Sequence, residues 1–193
     1  PGTAKIALDD LDSDGDGLNS PFDLWPEGCP SGWYQDAPNS CAEAPAGYYA
    51  EEGLPWNLVI CPSGTFQPNG GQPSCIDSTP GYHVPDEGAY SQTICPAGSY
   101  QPNSGSSNCI LADPGHMVET PGKTFQSPCT VGRYSSMPGA TSCVRASPGF
   151  YVDSASATEQ TPCPPGSYSS TEGSVSCSST SPGQYTSANA STE

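Results

Sequence analysis

Ten cysteines recur along the chain at regular intervals, and their chemistry is that of disulfide formation. Four pairs have members 14 residues apart and follow one another every 34 residues; a shorter pair, 12 apart, precedes them. The pairs are Cys29 and Cys41, Cys61 and Cys75, Cys95 and Cys109, Cys129 and Cys143, and Cys163 and Cys177. Because cytosolic thiols are kept reduced, an even and regular set indicates an oxidising compartment. We therefore expect an extracellular or cell-surface protein.

Two disulfide pairings are compatible with this spacing. Short loops would join the members of each pair: Cys29–Cys41, Cys61–Cys75, Cys95–Cys109, Cys129–Cys143 and Cys163–Cys177. Long loops would cross the 20-residue steps between pairs and would leave Cys29 and Cys177 without partners. The short loops are favoured because they use every thiol. Closing a loop of about 15 residues removes roughly 3 kcal/mol of unfolded-state entropy in the simple chain model.

An acidic segment before the cysteines has the spacing of a twelve-residue calcium loop. Seven of the twenty acids lie in residues 1–27. The ligand positions 1, 3, 5, 7, 9 and 12 would be held by Asp12, Asp14, Asp16, Leu18, Ser20 and Asp23, with Gly17 at the sharp turn. Carboxylate and carbonyl oxygens are the donors that Ca²⁺ prefers. The sequence therefore predicts Ca²⁺ as the cofactor, and a solvated acidic linker is the alternative.

The loop departs from the usual pattern at its end. Asp23 stands where a bidentate Glu is usual, Asn19 stands where an apolar residue is usual, and Pro21 opposes an exit helix. In these respects it resembles the unpaired calcium loops of secreted thrombospondin type 3 and dockerin repeats. The resemblance implies weak binding, with a dissociation constant of about 10⁻⁴ to 10⁻³ M.

Neither catalysis nor nucleic-acid binding has support in the sequence. The two histidines are His83 and His116, and His116 occupies a column of aromatic residues, which favours packing. No nucleophile, histidine and acid form a recognisable motif. The four cations, Lys5, Lys123, Arg133 and Arg145, are scattered, so no basic patch for phosphates exists. We expect no enzyme, no nucleic-acid partner and no direct membrane insertion, since no apolar run approaches about 20 residues.

One acceptor motif for glycosylation is present. Asn189, Ala190 and Ser191 form an N-glycosylation sequon, and many Ser and Thr residues beside Pro suit O-linked sugars in a secreted chain. We therefore expect a glycoprotein with Asn189 modified.

The composition shows what must position these groups. Leu, Ile, Val and Phe together number 23 of 193 residues, Pro and Gly number 45, and the net charge is −16. Such a chain has too little apolar surface to offset its conformational entropy, so disulfides must replace a core. The sequence predicts a small disulfide-rich fold, mostly irregular or β. It predicts an elongated, solenoid-like array of short β-hairpins with very little helix.

Each 34-residue unit contains two half-units of similar plan. Glycines stand three and ten residues after the first cysteine of a pair, and an aromatic residue follows at the fifth position, as in Tyr100 and Tyr134. The glycines at the tenth position, Gly71, Gly105, Gly139 and Gly173, are expected to adopt positive φ and to reverse the chain. We expect the aromatic residues to cover neighbouring disulfides and exclude water.

These units give the domain boundaries. Residues 1–28 are an N-terminal arm with the calcium loop, and residues 29–60 are a shortened first repeat. Repeats follow at 61–94, 95–128 and 129–162, with an incomplete fifth repeat at 163–193.

Two runs carry a family resemblance. Cys61 to Cys75 (CPSGTFQPNGGQPSC) and Cys95 to Cys109 (CPAGSYQPNSGSSNC) resemble the ephrin-receptor-like cysteine-rich repeat, which is similar in style to tumour-necrosis-factor receptor modules. The resemblance covers most of residues 29–193. That family usually has a further Cys-x-x-Cys step between units, whereas residues 110–113 here are Ile-Leu-Ala-Asp. The resemblance implies a fibrous extracellular role.

The leading hypothesis is therefore a non-enzymatic structural subunit or segment of an extracellular fibre, filament or stalk that assembles head to tail. Pro182 to Glu193 align with Pro148 to Glu159 and stop before the turn. Two partners for this half-unit are therefore expected: neighbouring repeats of a longer chain, or a neighbouring copy of this chain that completes it. The alternative is a ligand-binding ectodomain or adhesin. For that alternative, Trp25, Trp33 and Trp56 in the first third are the one hint of a binding patch.

Overall fold

The computed structural model describes residues 29–37, 40–51, 57–183 and 190–192 of the chain. Within these ranges the chain forms 18 short strands and no helix, and each strand pairs antiparallel with one other strand. We number the nine two-stranded sheets hairpin 1 to hairpin 9 in chain order. The predicted class, a disulfide-rich and mostly β array of hairpins, is confirmed.

The strand boundaries follow the repeat. Hairpins 1 to 3 are β1 (Trp33–Ala37) with β2 (Ser40–Glu43), β3 (Tyr48–Tyr49) with β4 (Val59–Ile60), and β5 (Thr65–Phe66) with β6 (Ile76–Asp77). Hairpins 4 to 6 are β7 (Tyr82–His83) with β8 (Thr93–Ile94), β9 (Ser99–Tyr100) with β10 (Ile110–Leu111), and β11 (His116–Met117) with β12 (Ser127–Pro128). Hairpins 7 to 9 are β13 (Arg133–Tyr134) with β14 (Val144–Arg145), β15 (Phe150–Tyr151) with β16 (Thr161–Pro162), and β17 (Ser167–Tyr168) with β18 (Ser178–Ser179).

The described residues form two compact units whose segments interleave along the chain. The first unit contains the residues up to Ser78, together with Val84–Gln92 and Gly105–Ser107, and it holds hairpins 1 to 3. The second unit contains Thr79–His83, Thr93–Ser104 and the residues from Asn108 onward, and it holds the strands of hairpins 4 to 9.

Proline follows the first strand closely in three hairpins, although strands without it are equally short. Pro68, Pro85 and Pro102 each stand two residues after a first strand, where a residue without an N–H cannot extend the ladder. The paired positions are regular, with Phe66 opposite Ile76 and Tyr134 opposite Val144.

Successive hairpins are joined by backbone hydrogen bonds at fixed positions. In the first unit Gly47 N donates to Gln67 O (2.8 Å), Ala50 N to Gln72 O (3.1 Å), and Gly71 N to Ala44 O (2.8 Å). In the second unit Gly115 N donates to Ser135 O (2.8 Å), Val118 N to Ala140 O (2.9 Å), and Gly139 N to Ala112 O (2.7 Å). These bonds satisfy backbone groups that two-residue strands leave unpaired.

The glycines are required at both predicted positions. All four glycines predicted to reverse the chain have positive φ, from +66° at Gly105 to +78° at Gly139. At the other position the reason is a close approach: Gly132 has φ +80°, and an added Cβ would overlap the carbonyl oxygen of Gly173. Residues with a side chain fit neither the backbone angle nor the space there.

The buried residues are small. Beyond the glycines, hairpins 2 to 9 each bury at least two side chains, drawn from Ala, Val, Cys, Ser and Gln; in the second unit they include Cys95, Gln101, Ala112, Val118, Cys129, Ser135, Ala146 and Val152. The aromatic strand residues, such as Tyr100 and Tyr134, are only half-buried. Small side chains therefore fill the interior, and the cover of aromatic rings over neighbouring disulfides stays a prediction. Backbone hydrogen bonds hold successive hairpins so close together that small side chains fill the space between them.

Candidate functional site

The cysteines form five disulfides, and each closes one short loop. Cys29–Cys41, Cys61–Cys75, Cys95–Cys109, Cys129–Cys143 and Cys163–Cys177 have Cα–Cα distances of 5.7 to 5.8 Å, and no cysteine is free. They belong to hairpins 1, 3, 5, 7 and 9. The first cysteine of each pair is buried, whereas the second is half-buried in every pair except Cys129–Cys143. Four of the disulfides therefore have one cysteine in the interior and one partly accessible to solvent, whereas both cysteines of Cys129–Cys143 are buried.

The even-numbered hairpins are closed without a disulfide. In hairpin 6, Gln126 Oε1 accepts a hydrogen bond from Asp113 N, and Gln126 Nε2 donates to Asp113 Oδ2, both at 2.6 Å. In hairpin 8, Gln160 Oε1 accepts from Ser147 N at 2.7 Å. We call these contacts glutamine clamps. Each clamp joins the start of the hairpin to its return strand, as the disulfide does in its neighbours.

Sequence reasoning missed the glutamine clamps, although a signal for them was present. Gln92, Gln126 and Gln160 each stand 17 residues after the second cysteine of a pair. They therefore occupy the second-cysteine position of the half-unit that lacks cysteines. Comparing the two half-units position by position would have identified them.

The disulfide-bonded hairpins use a buried side chain to shape their loops. Gln67 Nε2 donates to Ser74 O at 2.8 Å, and Gln101 Nε2 donates to Asn108 O at 2.6 Å. In the even-numbered hairpins the same position is apolar, as at Val84, Val118 and Val152. No buried side-chain nitrogen or oxygen lacks a hydrogen-bond partner among the described residues.

His83 lies against one disulfide. Its Nδ1 is 3.1 Å from Cys109 Sγ, and both side chains are half-buried. The ligand atoms of His83, Cys95 and Cys109 all lie within 4.8 Å of one another, and no other such group of His, Cys, Asp or Glu occurs among the described residues. His116 is also half-buried, in β11, and its Nδ1 is 3.4 Å from Pro114 O.

A depression of the second unit lies beside the Cys129–Cys143 disulfide. Its wall includes Met117, Glu119, Thr130, Arg133 and Ser142. Arg133 Nη1 donates to Cys143 O at 3.2 Å, which holds the guanidinium against the return strand. The lining contains one acid, one cation and hydroxyls, and it contains no histidine. This set lacks a nucleophile paired with a base.

Large aliphatic side chains are exposed on the return strands. In the first unit they are Ile60 and Ile76, and in the second unit they are Ile94, Ile110, Leu111 and Val144, with exposed fractions from 39% to 56%. Exposed aliphatic residues at a repeated position form a surface that water solvates poorly.

Several predicted site residues lie outside the described ranges. The calcium-loop residues Asp12, Asp14, Asp16, Leu18, Ser20 and Asp23 and the sequon residue Asn189 are among them, as are Trp25 and Trp56. Trp33 is described and is half-buried in β1.

No protein-family model matches this chain, and no curated protein matches it significantly. Among the described residues no helix is long and apolar enough to cross a membrane.

Proposed function

We propose that this chain is a non-enzymatic structural subunit, or a segment of one, in an extracellular fibre, filament or stalk. The observation that carries the proposal is the repeated set of backbone hydrogen bonds between hairpins, such as Gly47 to Gln67 in one unit and Gly115 to Ser135 in the other. Backbone bonds between hairpins and cross-links within them resist extension without a large apolar core. Five disulfides suit an oxidising exterior.

The resemblance to the ephrin-receptor-like cysteine-rich repeat supports the same proposal. Both sequence runs that carry it, residues 61–75 and 95–109, form disulfide-closed hairpins. We include membership of that repeat class in the proposal, with a fibrous rather than an enzymatic role.

The hairpins favour a second copy of this chain as the binding partner. Every hairpin presents the same backbone donors and acceptors to its neighbour, so a hairpin of a second copy would meet compatible groups. We propose head-to-tail assembly, because contacts between different surfaces of identical chains continue indefinitely unless they close into a ring. Glycans at Asn189 would limit lateral association by covering strand edges.

Electron microscopy of negatively stained native material tests the assembly. Continuous fibres that disperse when a thiol reductant is added are the expected result, because disulfides close every second hairpin. Isolated particles at all concentrations, together with a saturable ligand, would favour a receptor or adhesin instead.

We further propose that Ca²⁺ stabilises the N-terminal junction through Asp12, Asp14, Asp16, Leu18, Ser20 and Asp23. Removing Ca²⁺ is expected to expose residues 9–27 to protease and to leave the hairpins intact, because carboxylates that lose their cation repel one another. Limited proteolysis with and without a chelator measures this. Asp14→Asn is expected to reproduce the chelator's effect, and identical cleavage in all samples would refute the calcium site.

A ligand-binding ectodomain or adhesin is the second candidate. The exposed aliphatic residues on the return strands, such as Ile94, Leu111 and Val144, favour it because large exposed apolar surfaces often mark binding sites.

A further inference from the structure

We propose that His83, Cys95 and Cys109 form a latent metal site that binds one zinc-type divalent cation when the Cys95–Cys109 disulfide is reduced. This inference goes beyond the structural role proposed above. It starts from two observations. His83 Nδ1 lies 3.1 Å from Cys109 Sγ, and the ligand atoms of all three residues lie within 4.8 Å of one another. Two thiolates and one imidazole are a ligand set that zinc prefers, and the fourth position would be left for water.

The backbone already suits such a site. The Cα atoms of Cys95 and Cys109 are 5.7 Å apart. Sulfurs bound to one zinc ion, with Zn–S bonds of about 2.3 Å, lie roughly 3.8 Å apart in a tetrahedral site. After reduction, rotation of the two cysteine side chains can therefore bring the sulfurs to this separation while the strands stay in place. His83 and Cys109 are half-buried, which leaves the ion a route from solvent, whereas Cys95 is buried.

The Cys95–Cys109 disulfide differs from the others because a histidine lies beside it. The residues at the position of His83 in the other even-numbered hairpins, at intervals of 34, are Tyr49, Met117 and Tyr151. None of these provides an imidazole nitrogen, and the usual protein ligands of zinc are Cys, His, Asp and Glu rather than Tyr or Met. The repeat therefore contains three internal controls: Cys61–Cys75, Cys129–Cys143 and Cys163–Cys177.

The chemistry balances with an external thiol as the reductant. Two molecules of a thiol such as glutathione transfer two electrons and two protons to the Cys95–Cys109 disulfide and become one oxidised disulfide. The two cysteine thiols then release two protons as their sulfurs bind the cation. His83 binds as neutral imidazole through Nδ1 and carries its proton on Nε2. The bound cation joins both sulfurs again, so the cross-link in hairpin 5 is replaced rather than lost.

The test uses the full chain equilibrated at a series of ratios of reduced to oxidised glutathione, with and without Zn²⁺. Free thiols are alkylated and mapped by mass spectrometry, so each disulfide reports its own fraction reduced. Because Zn²⁺ would bind only the reduced form of this pair, it should lower the ratio at which Cys95–Cys109 opens by at least about tenfold. For the other four disulfides, the ratio at which reduction occurs should not change with Zn²⁺. No shift at Cys95–Cys109, or an equal shift at all five disulfides, would overturn the proposal.

Two substitutions separate a metal site from a structural effect. His83→Tyr introduces the residue that hairpins 2 and 8 carry, and it should abolish the Zn²⁺-dependent shift while preserving the disulfides. Met117→His places imidazole beside Cys129–Cys143 and should give that disulfide a shift of its own. A shift that persists in His83→Tyr, or none in Met117→His, would show that the histidine does not define the site. As a second readout, Co²⁺ should produce sulfur-to-metal charge-transfer absorption that requires His83.

Discussion

Hairpins 6 and 7 lie in the same unit and have nearly the same backbone, but different side-chain links close them. Hairpin 7 is closed by the Cys129–Cys143 disulfide, and hairpin 6 by the clamp between Gln126 and Asp113. Both make the same kind of backbone bonds, since Val118 N donates to Ala140 O and Ser135 N to Ala157 O. The comparison teaches that the backbone pattern does not require a disulfide in every hairpin. At that position hairpins 6 and 8 have a hydrogen-bonded glutamine, whereas hairpin 2 has Leu58 and still pairs its two strands.

The largest expected effect tests whether the two hairpin types share one backbone. An added Cβ at Gly115 in hairpin 6 would overlap the carbonyl oxygen of Ser156, and one at Gly132 in hairpin 7 would overlap that of Gly173. Gly115→Ala and Gly132→Ala should each destabilise their hairpin by about 3–5 kcal/mol, from positive φ and overpacking together. Hydrogen exchange of the amides in each hairpin measures the loss. Costs that differ by more than about 2 kcal/mol would show that the two backbones are not equivalent.

The next effect isolates the disulfide. Cys129→Ala with Cys143→Ala should destabilise hairpin 7 by about 3 kcal/mol, because the unfolded loop regains its freedom. Hydrogen exchange should report the loss in hairpin 7 and little change in hairpin 5, where Cys95–Cys109 remains. A loss below about 1 kcal/mol would mean that backbone bonds alone close the hairpin.

Converting hairpin 6 into the other type should have an effect of intermediate size. Ala112 and Gln126 occupy the two cysteine positions, so Ala112→Cys with Gln126→Cys should form a sixth disulfide. The net gain should be about 2 kcal/mol, since the disulfide adds about 3 and the lost clamp removes about 1. Peptide mapping without reductant detects the bond, and hydrogen exchange measures the gain. Ala112→Cys alone is the control, and two unlinked thiols in the double variant would contradict the equivalence.

The smallest effect concerns the glutamine clamp itself. Gln126→Ala should destabilise hairpin 6 by about 1 kcal/mol, because it removes two hydrogen bonds in a solvent-accessible place. Thr124→Ala, an exposed position in the same loop, should change stability by less than about 0.5 kcal/mol. Equal effects of the two substitutions in hydrogen exchange would show that the clamp contributes nothing.

Much of the fold could be predicted from the spacing of a few residue types. Glycine at Gly71, Gly105, Gly139 and Gly173 marks positive φ because other residues adopt it at a cost. Ser156 shows the limit of this rule, since it adopts φ +58° at the equivalent position of hairpin 8. There the chain keeps the repeat geometry without the residue that signals it.

The contacts between hairpins could not be predicted from residue spacing. The sequence did not indicate that small side chains fill the interior, because burial depends on how closely successive hairpins approach, and the backbone bonds set that distance. The contact between His83 and Cys109 joins residues 26 apart, which is not a multiple of the repeat. The predicted calcium loop and the sequon at Asn189 stay predictions, since they lie outside the described residues.

By itself the sequence determined that this chain has little apolar core, that its cysteines are spaced as pairs, and that glycine reverses the chain at fixed intervals. These are local properties, because composition, short-loop closure and backbone angles depend on neighbouring residues. Only the tertiary structure decided that glutamine takes the place of a disulfide in hairpins 6 and 8, that small side chains fill the interior, and that His83 contacts the Cys95–Cys109 disulfide. Those features depend on the register between successive hairpins, which is set by hydrogen bonds between residues far apart in the chain.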